Sequence, residues 1–144
     1  MTTEQAEETM IVAEVICKRR GYTLELIQAK QEGRKKGKQE FTYTKQLIHY
    51  FVKNKFPGIP LSIIGWKFGF RDHATVLHSI RVVNNSIEVD RACRTEIQIL
   101  ELRINEALAV HRENGKAEKE MVIIRSARHK QTALEDNGYR VSTA

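Results

Sequence analysis

The sequence predicts an all-α fold: a small domain of about six helices with an embedded helix-turn-helix and a long closing helix. Three observations lead there. Apolar residues recur at spacings of three and four along several segments, the period of a helix with one buried face. No alternating strand pattern of useful length occurs before residue 120. Finally, the run Phe68-Gly69-Phe70-Arg71-Asp72-His73-Ala74-Thr75-Val76-Leu77 reads as a tight inter-helix turn and the start of a second helix. Gly69 can take the positive φ that such a turn needs.

The elements follow in order. Residues 1–8 are polar and acidic, without the apolar stretch of a secretory signal, and are expected to form an N-terminal tail. Met10, Ile11, Val12, Val15 and Ile16 give a short helix that Gly21 stops. Leu24, Leu26 and Ile27 make one or two further helical turns. Lys30 to Glu40 is a polar connector in which Gly33 and Gly37 argue against a continuous helix. Thr44, Leu47, Ile48, Phe51 and Val52 form the next helical face, from about Thr42 to Lys55, broken by Pro57, Gly58 and Pro60. Leu61 to Phe68 is the first helix of the helix-turn-helix, with Trp66 and Phe68 assigned to the core. Arg71 to Asn84 is the second, with Val76, Leu77, Ile80 and Val83 as its core face and Asn84-Asn85-Ser86 as a stop. Val89, Cys93, Ile97, Leu100, Ile104 and Leu108 then draw one apolar stripe along a closing helix over residues 87–111.

These elements define one domain over residues 9–111. Residues 112–144 change character: Asn114-Gly115 and Asn137-Gly138 are turn signals, and Met121-Val122-Ile123-Ile124 is too small a cluster for a core. This tail is expected to be partly disordered or to dock a partner.

The chain carries a formal net charge of +6 over 144 residues, unevenly spread. Residues 18–55 hold eleven Lys and Arg against three acids, a local excess of +8. Such a block suits a polyanion, nucleic acid or an anionic membrane. No stretch approaches the apolar length of a membrane span, and no basic amphipathic helix stands out, so a membrane partner is not expected. Cys17 and Cys93 lie in helical apolar patterns without a second ligand at zinc spacing. They read as reduced thiols of a cytoplasmic protein rather than a metal site.

The second helix opens with Arg71, Asp72, His73 and Thr75, four polar groups within one turn. The first turn of a recognition helix is where helix-turn-helix proteins touch base edges. An Asp can accept from cytosine N4, and a Thr can hydrogen-bond or offer a methyl to thymine. Asp72 can equally cap the helix. Together with Ile64-Gly65, the run resembles the signature of the C-terminal DNA-binding domain of DnaA, the bacterial replication initiator, roughly I-G-x-x-F-G-x-R-D-H-[ST]-T-V. The chain supplies Ile64, Gly65, Phe68, Gly69, Arg71, Asp72, His73, Thr75 and Val76. It departs at Ala74, where that family has a hydroxyl, at Phe70, where Gly is common, and at Ser79, where Ala is frequent. The resemblance covers about residues 8–110 and stops short of 112–144.

The resemblance implies double-stranded DNA as partner. It implies base reading in the major groove by Asp72, His73, Ala74 and Thr75, with Ala74 keeping a methyl but no hydroxyl. It implies a basic loop that sends an arginine into the adjacent minor groove. Arg34 is the only arginine of Arg34-Lys35-Lys36-Gly37-Lys38, and a narrow A·T-rich groove attracts Arg; Lys35 and Lys36 are the alternatives for this position. Lys35, Lys36, Lys38, Lys45, Gln46, Leu61, Ser62 and Arg71 are the corresponding backbone contacts. Lys45-Gln46 stands for a family Arg-Gln. Leu61 and Ser62 would offer helix N–H groups to a phosphate.

A catalytic reading finds no support. There is no G-x-x-x-x-G-K-[ST] phosphate loop and no H-E-x-x-H pair, and no nucleophile sits in a motif context. No enzyme activity, cofactor or metal is expected. The expected function is sequence-specific binding of duplex DNA at DnaA-box-like sites, in replication initiation or its regulation, without ATPase activity. The competing expectation is a protein-interaction module with a decayed reader, in which the C-terminal tail docks a replication protein.

Overall fold

The computed structural model describes residues 1–29, 38–69 and 71–143, and their side chains except at 38 and 126–143. Six helices and no strand occur among the described residues. The chain divides into two units, Met1–Leu108 and Ala109–Ala144.

Helix α1, Thr3–Arg20, starts earlier than the apolar pattern predicts. The Thr2 hydroxyl accepts from the Gln5 N–H at 3.1 Å while the Gln5 side chain accepts from the Thr2 N–H at 3.3 Å. This reciprocal cap satisfies two N–H groups that a helix start leaves orphaned. Residues 3–8, expected as a tail, are therefore helical, and Glu8 and Thr9 are buried. Gly21 ends the helix in the left-handed region, φ 80°, as its position predicts. Helix α2, Leu24–Gln28, is capped by Thr23 and buries Ile27.

Helix α3, Lys38–Lys55, is the central element and packs against α1, α4 and α5. Its first turn takes up the end of the expected connector. Arg20 explains part of this: its guanidinium donates to Thr44 at 2.8 Å and to Glu40 at 3.0 Å, fixing the start of α3 to the end of α1. Leu47, Ile48, Phe51 and Val52 are fully buried. Side chains of this size contribute about 1.5–3 kcal/mol each on full burial. Residues 30–37, with Arg34, Lys35 and Lys36, lie outside the described residues, and of Lys38 only the backbone is described.

Helix α4, Leu61–Lys67, and α5, His73–Val89, form the helix-turn-helix and pack on each other. Phe68 is fully buried, as expected. Trp66 is not: it is 67% exposed. In α4 the inward positions go to Ile64 and Gly65, which turns residue 66 away from the core. Leu77 is also displaced from its expected core role, at 39% exposure, because Val76, Ser79 and Val83 set the buried face of α5. The expected stop at Asn84-Asn85-Ser86 does not occur. Ser86 bonds back to the Val82 carbonyl at 2.9 Å, and the helix continues to Val89. It ends at Asp90, whose carboxylate accepts from the Ala92 N–H at 2.8 Å and opens the next helix.

Helix α6, Arg91–Thr143, contributes Ile97, Leu100, Ile104 and Leu108 to the core of the first unit. This is the predicted stripe, shortened at its start: Val89 is 83% exposed and Cys93 only half-buried. Arg19 clasps Glu96 with two hydrogen bonds of 2.7 and 2.8 Å. Lys55 bonds Glu101 and, at 2.7 Å, Asn105. These pairs join α1 and α3 to α6. In the second unit the backbone stays helical through both Asn-Gly pairs, where the sequence predicts turns. A lone Gly in a helix costs about 1 kcal/mol relative to Ala. No helix among the described residues is long and apolar enough to cross a membrane, and none of their His, Cys, Asp and Glu side chains form a metal-ligand cluster.

Candidate nucleic-acid interface

The turn between α4 and α5 is built on two glycines. Gly69 has φ 122°, a conformation that strains any side chain. Gly65 is needed for a different reason: a Cβ there would collide with the Arg71 carbonyl. That close approach lets the Arg71 N–H donate to the Gly65 carbonyl at 2.9 Å, closing the turn.

Asp72 is the N-cap of α5. Its Oδ1 accepts from the Thr75 N–H at 2.9 Å and from the Thr75 hydroxyl at 2.9 Å. The Thr75 N–H bond, then its hydroxyl bond, hold the Asp72 carboxyl below its ordinary range, and His73 adds to this. The residue is thus an ionised acceptor that also starts the helix. The residue expected to read bases is therefore also the cap of α5.

Arg71, Asp72, His73 and Ala74 are exposed and Thr75 is half-buried. The structure therefore brings the expected major-groove residues together on one exposed turn. Thr75 gives its hydroxyl proton to Asp72, so it offers solvent an acceptor oxygen and a methyl. Further along α5, Leu77, His78 and Arg81 are exposed on the same helix. Sequence reasoning passed over them by assigning Leu77 to the core. Their spacing from His73 and Ala74, four and eight residues, was the available signal.

The other expected contacts are placed less uniformly. Lys45 is 7% exposed, with its ammonium 4.8 Å from the centre of the Phe41 ring and its chain lying beneath Gly69. Its charge sits under the turn instead of on the outer surface. Gln46 is half-buried and lines a surface depression with Arg20, Glu40 and Tyr43. Leu61 is half-buried and Ser62 exposed at the start of α4, where Pro60 provides no side-chain cap. Lys67 is tied down inside the fold, donating to the Ala6 carbonyl at 3.0 Å and to Thr9 at 2.7 Å.

Beneath the turn between α4 and α5 lies a buried histidine that the sequence did not single out. His49 is 1% exposed. Its Nε2 is 2.9 Å from the Phe68 carbonyl and its Nδ1 is 2.9 Å from the Ser79 hydroxyl. Burial pushes its pKa down to about 4, and Lys45 and Arg71 nearby oppose its protonation further. It is neutral at pH 7. The Phe68 carbonyl can only accept, so Nε2 carries the proton and Nδ1 accepts from Ser79.

Comparison with known proteins agrees with this architecture. The family described as bacterial dnaA protein helix-turn-helix matches residues 10–83, half of the chain. The chain is 32% identical over 90 residues to the chromosomal replication initiator protein DnaA of Bacteroides thetaiotaomicron, which covers 62% of this chain and 18% of that protein. It is 36% identical over 112 residues to the protein of that name from Wolbachia pipientis wMel, covering 69% of this chain and 24% of that protein. Against the Rhizobium meliloti protein it is 46% identical over 62 residues, 43% of this chain and 13% of the other. The chain thus spans a quarter or less of the length of these relatives. No solved structure matches it.

Proposed function

Because the chain belongs to the bacterial DnaA helix-turn-helix family, we propose that it binds double-stranded DNA sequence-specifically, at DnaA-box-like sites, in replication initiation or its regulation. The observation that carries this reading is the first turn of α5. Asp72, His73 and Ala74 are exposed beside a half-buried Thr75, on a helix whose opposite face, Val76, Ser79 and Val83, is locked into the core. A reader must be exposed and held rigidly at once, and this turn is both. Leu77, His78 and Arg81 extend the contact along α5. Arg34 enters the minor groove, and Lys35, Lys36, Lys38, Gln46, Leu61, Ser62 and Arg71 hold the backbone. Lys45 acts on the phosphates from beneath the turn. Binding uses no ATP hydrolysis by these residues, since the 144-residue chain holds no phosphate-binding loop.

The test is a titration with a duplex bearing a DnaA box and a scrambled duplex, at rising salt. The expected result is tighter binding to the box, and an affinity that falls linearly in log–log with salt, by about 0.9 per phosphate neutralised. Equal affinity for both duplexes, or none at low salt, overturns the reading.

A second reading rests on a different observation. Met121, Val122, Ile123 and Ile124 of the second unit are 50–67% exposed, an apolar run suited to a replication-protein partner. On that reading the helix-turn-helix is a scaffold only, and duplex DNA shows neither preference nor steep salt dependence.

A further inference from the structure

The Asp72–Thr75 cap does not end at Thr75. Ser79 Oγ lies 3.0 Å from the Thr75 carbonyl and 2.9 Å from His49 Nδ1, and His49 Nε2 lies 2.9 Å from the Phe68 carbonyl. One buried side chain of α3 thus holds both sides of the turn: the end of α4 through Phe68, and the first turn of α5 through Ser79. We propose that His49 is the positioning residue of the reading turn, fixing how α5 presents Asp72, His73 and Thr75 to a DNA duplex.

The proton inventory supports this. The neutral imidazole has one N–H, spent on Phe68. The Ser79 hydroxyl has one proton and two acceptors in reach, His49 Nδ1 and the Thr75 carbonyl. With His49 neutral, the proton goes to Nδ1, which would otherwise be a buried acceptor without a donor. The Thr75 carbonyl is then left to the helix. An apolar residue at 49 would take the His49 donor from the Phe68 carbonyl and return the Ser79 proton to Thr75, an i−4 bond that bends helices. The link thus sets the geometry of the first turn as well as filling space. The charged groups facing the imidazole are Lys45 on α3 and Arg71 in the turn.

The proposal rests on the DNA-reading function for its consequence but not for its first readout. Ser79→Ala, His49→Met and His49→Gln are made in the full chain. Glutamine can donate from its amide nitrogen to Phe68 and accept from Ser79; methionine can do neither. Amide hydrogen exchange on the free protein should show Thr75 and Val76 exchanging about tenfold faster in Ser79→Ala and His49→Met, the scale of one lost hydrogen bond. Val12 and Ile16 of α1 should move less, and His49→Gln should restore parental rates. Discrimination between box and scrambled duplexes should fall in the same two variants and return in His49→Gln. Exchange that is unchanged, or that rises equally across α1 and α5, overturns the proposal and makes His49 a packing group. If the parent itself does not discriminate, the DNA-reading function fails, while the exchange result still decides whether His49 positions the turn. If His49→Met does not fold, Ser79→Ala decides it.

Discussion

Acidification should destabilise the first unit through His49 well before the carboxylates are lost. The ordinary pKa of an exposed histidine is about 6.5, and burial holds His49 at about 4 in the folded protein. Between those values the unfolded chain binds a proton that the folded chain refuses. Stability therefore rises with pH across that window. The contribution is complete above about pH 6.5, is lost as pH falls toward 4, and is constant below. The separation corresponds to about 3 kcal/mol at the acid end, a large share of the ~5–15 kcal/mol that a typical domain has. The assay is urea unfolding from pH 7 to pH 4 for the parent and for His49→Gln, which keeps the polar links but cannot titrate. The difference between the two curves isolates His49. Asp72, Asp90 and Glu96, whose carboxyls are held below their ordinary range by hydrogen bonds and, for Glu96, by Arg19, lose stability at lower pH and do so in both proteins. A difference curve that is flat from pH 6.5 to 4 refutes the reasoning: it would mean that His49 is hydrated, or free to protonate in place.

Four further outcomes are expected, three from the geometry and one, at Arg34, from the family resemblance. Gly65→Ala should cost about 1–3 kcal/mol, as overpacking does, because its Cβ would meet the Arg71 carbonyl; an unchanged urea midpoint would show that the turn relaxes freely. Asp72→Asn should keep the cap to the Thr75 N–H and the melting temperature, yet alter which duplex is preferred, whereas Asp72→Ala should lose both; an Asn variant that discriminates like the parent reduces Asp72 to a cap. Arg34→Ala should weaken binding most on duplexes with an A·T-rich flank, and an equal loss on G·C-rich flanks would make Arg34 a phosphate contact. Deleting residues 112–144 should leave a folded first unit that still binds DNA, since the core residues of α6 end at Leu108; circular dichroism of an unfolded fragment would contradict this.

Chain composition and spacing determined the class of the fold. The apolar repeats of α3 and of α6 from Ile97 to Leu108, the stop at Gly21 and the Gly69 turn are all local signals, read from residues a few positions apart. The helix-turn-helix turn was equally local, because its motif lies within one stretch of sequence. Helix ends were legible only where a cap was recognised. Thr2-x-x-Gln5 and Asp90 carried that chemistry, but the apolar pattern drew attention elsewhere. The faces of α4 and α5 were legible only in part: Phe68, Val76 and Val83 are buried as expected, Trp66 and Leu77 are not. In α4 and α5, one residue of rotation separates Trp66 and Leu77 outside from Gly65 and Val76 inside; the two turns of α4 carry too few apolar positions to fix that rotation, and in α5 the adjacent Val76 and Leu77 both fit an apolar stripe of helical period. Tertiary packing fixed it, through the Gly65–Arg71 approach and the seat of Phe68. Packing alone also brought His49 to Ser79 and Phe68, thirty and nineteen residues away along the chain. A histidine amid apolar neighbours has no local partner to announce it. Its role exists only because α3 crosses beneath the turn and desolvates the ring, so that its two nitrogens must find their partners in the fold and not in water.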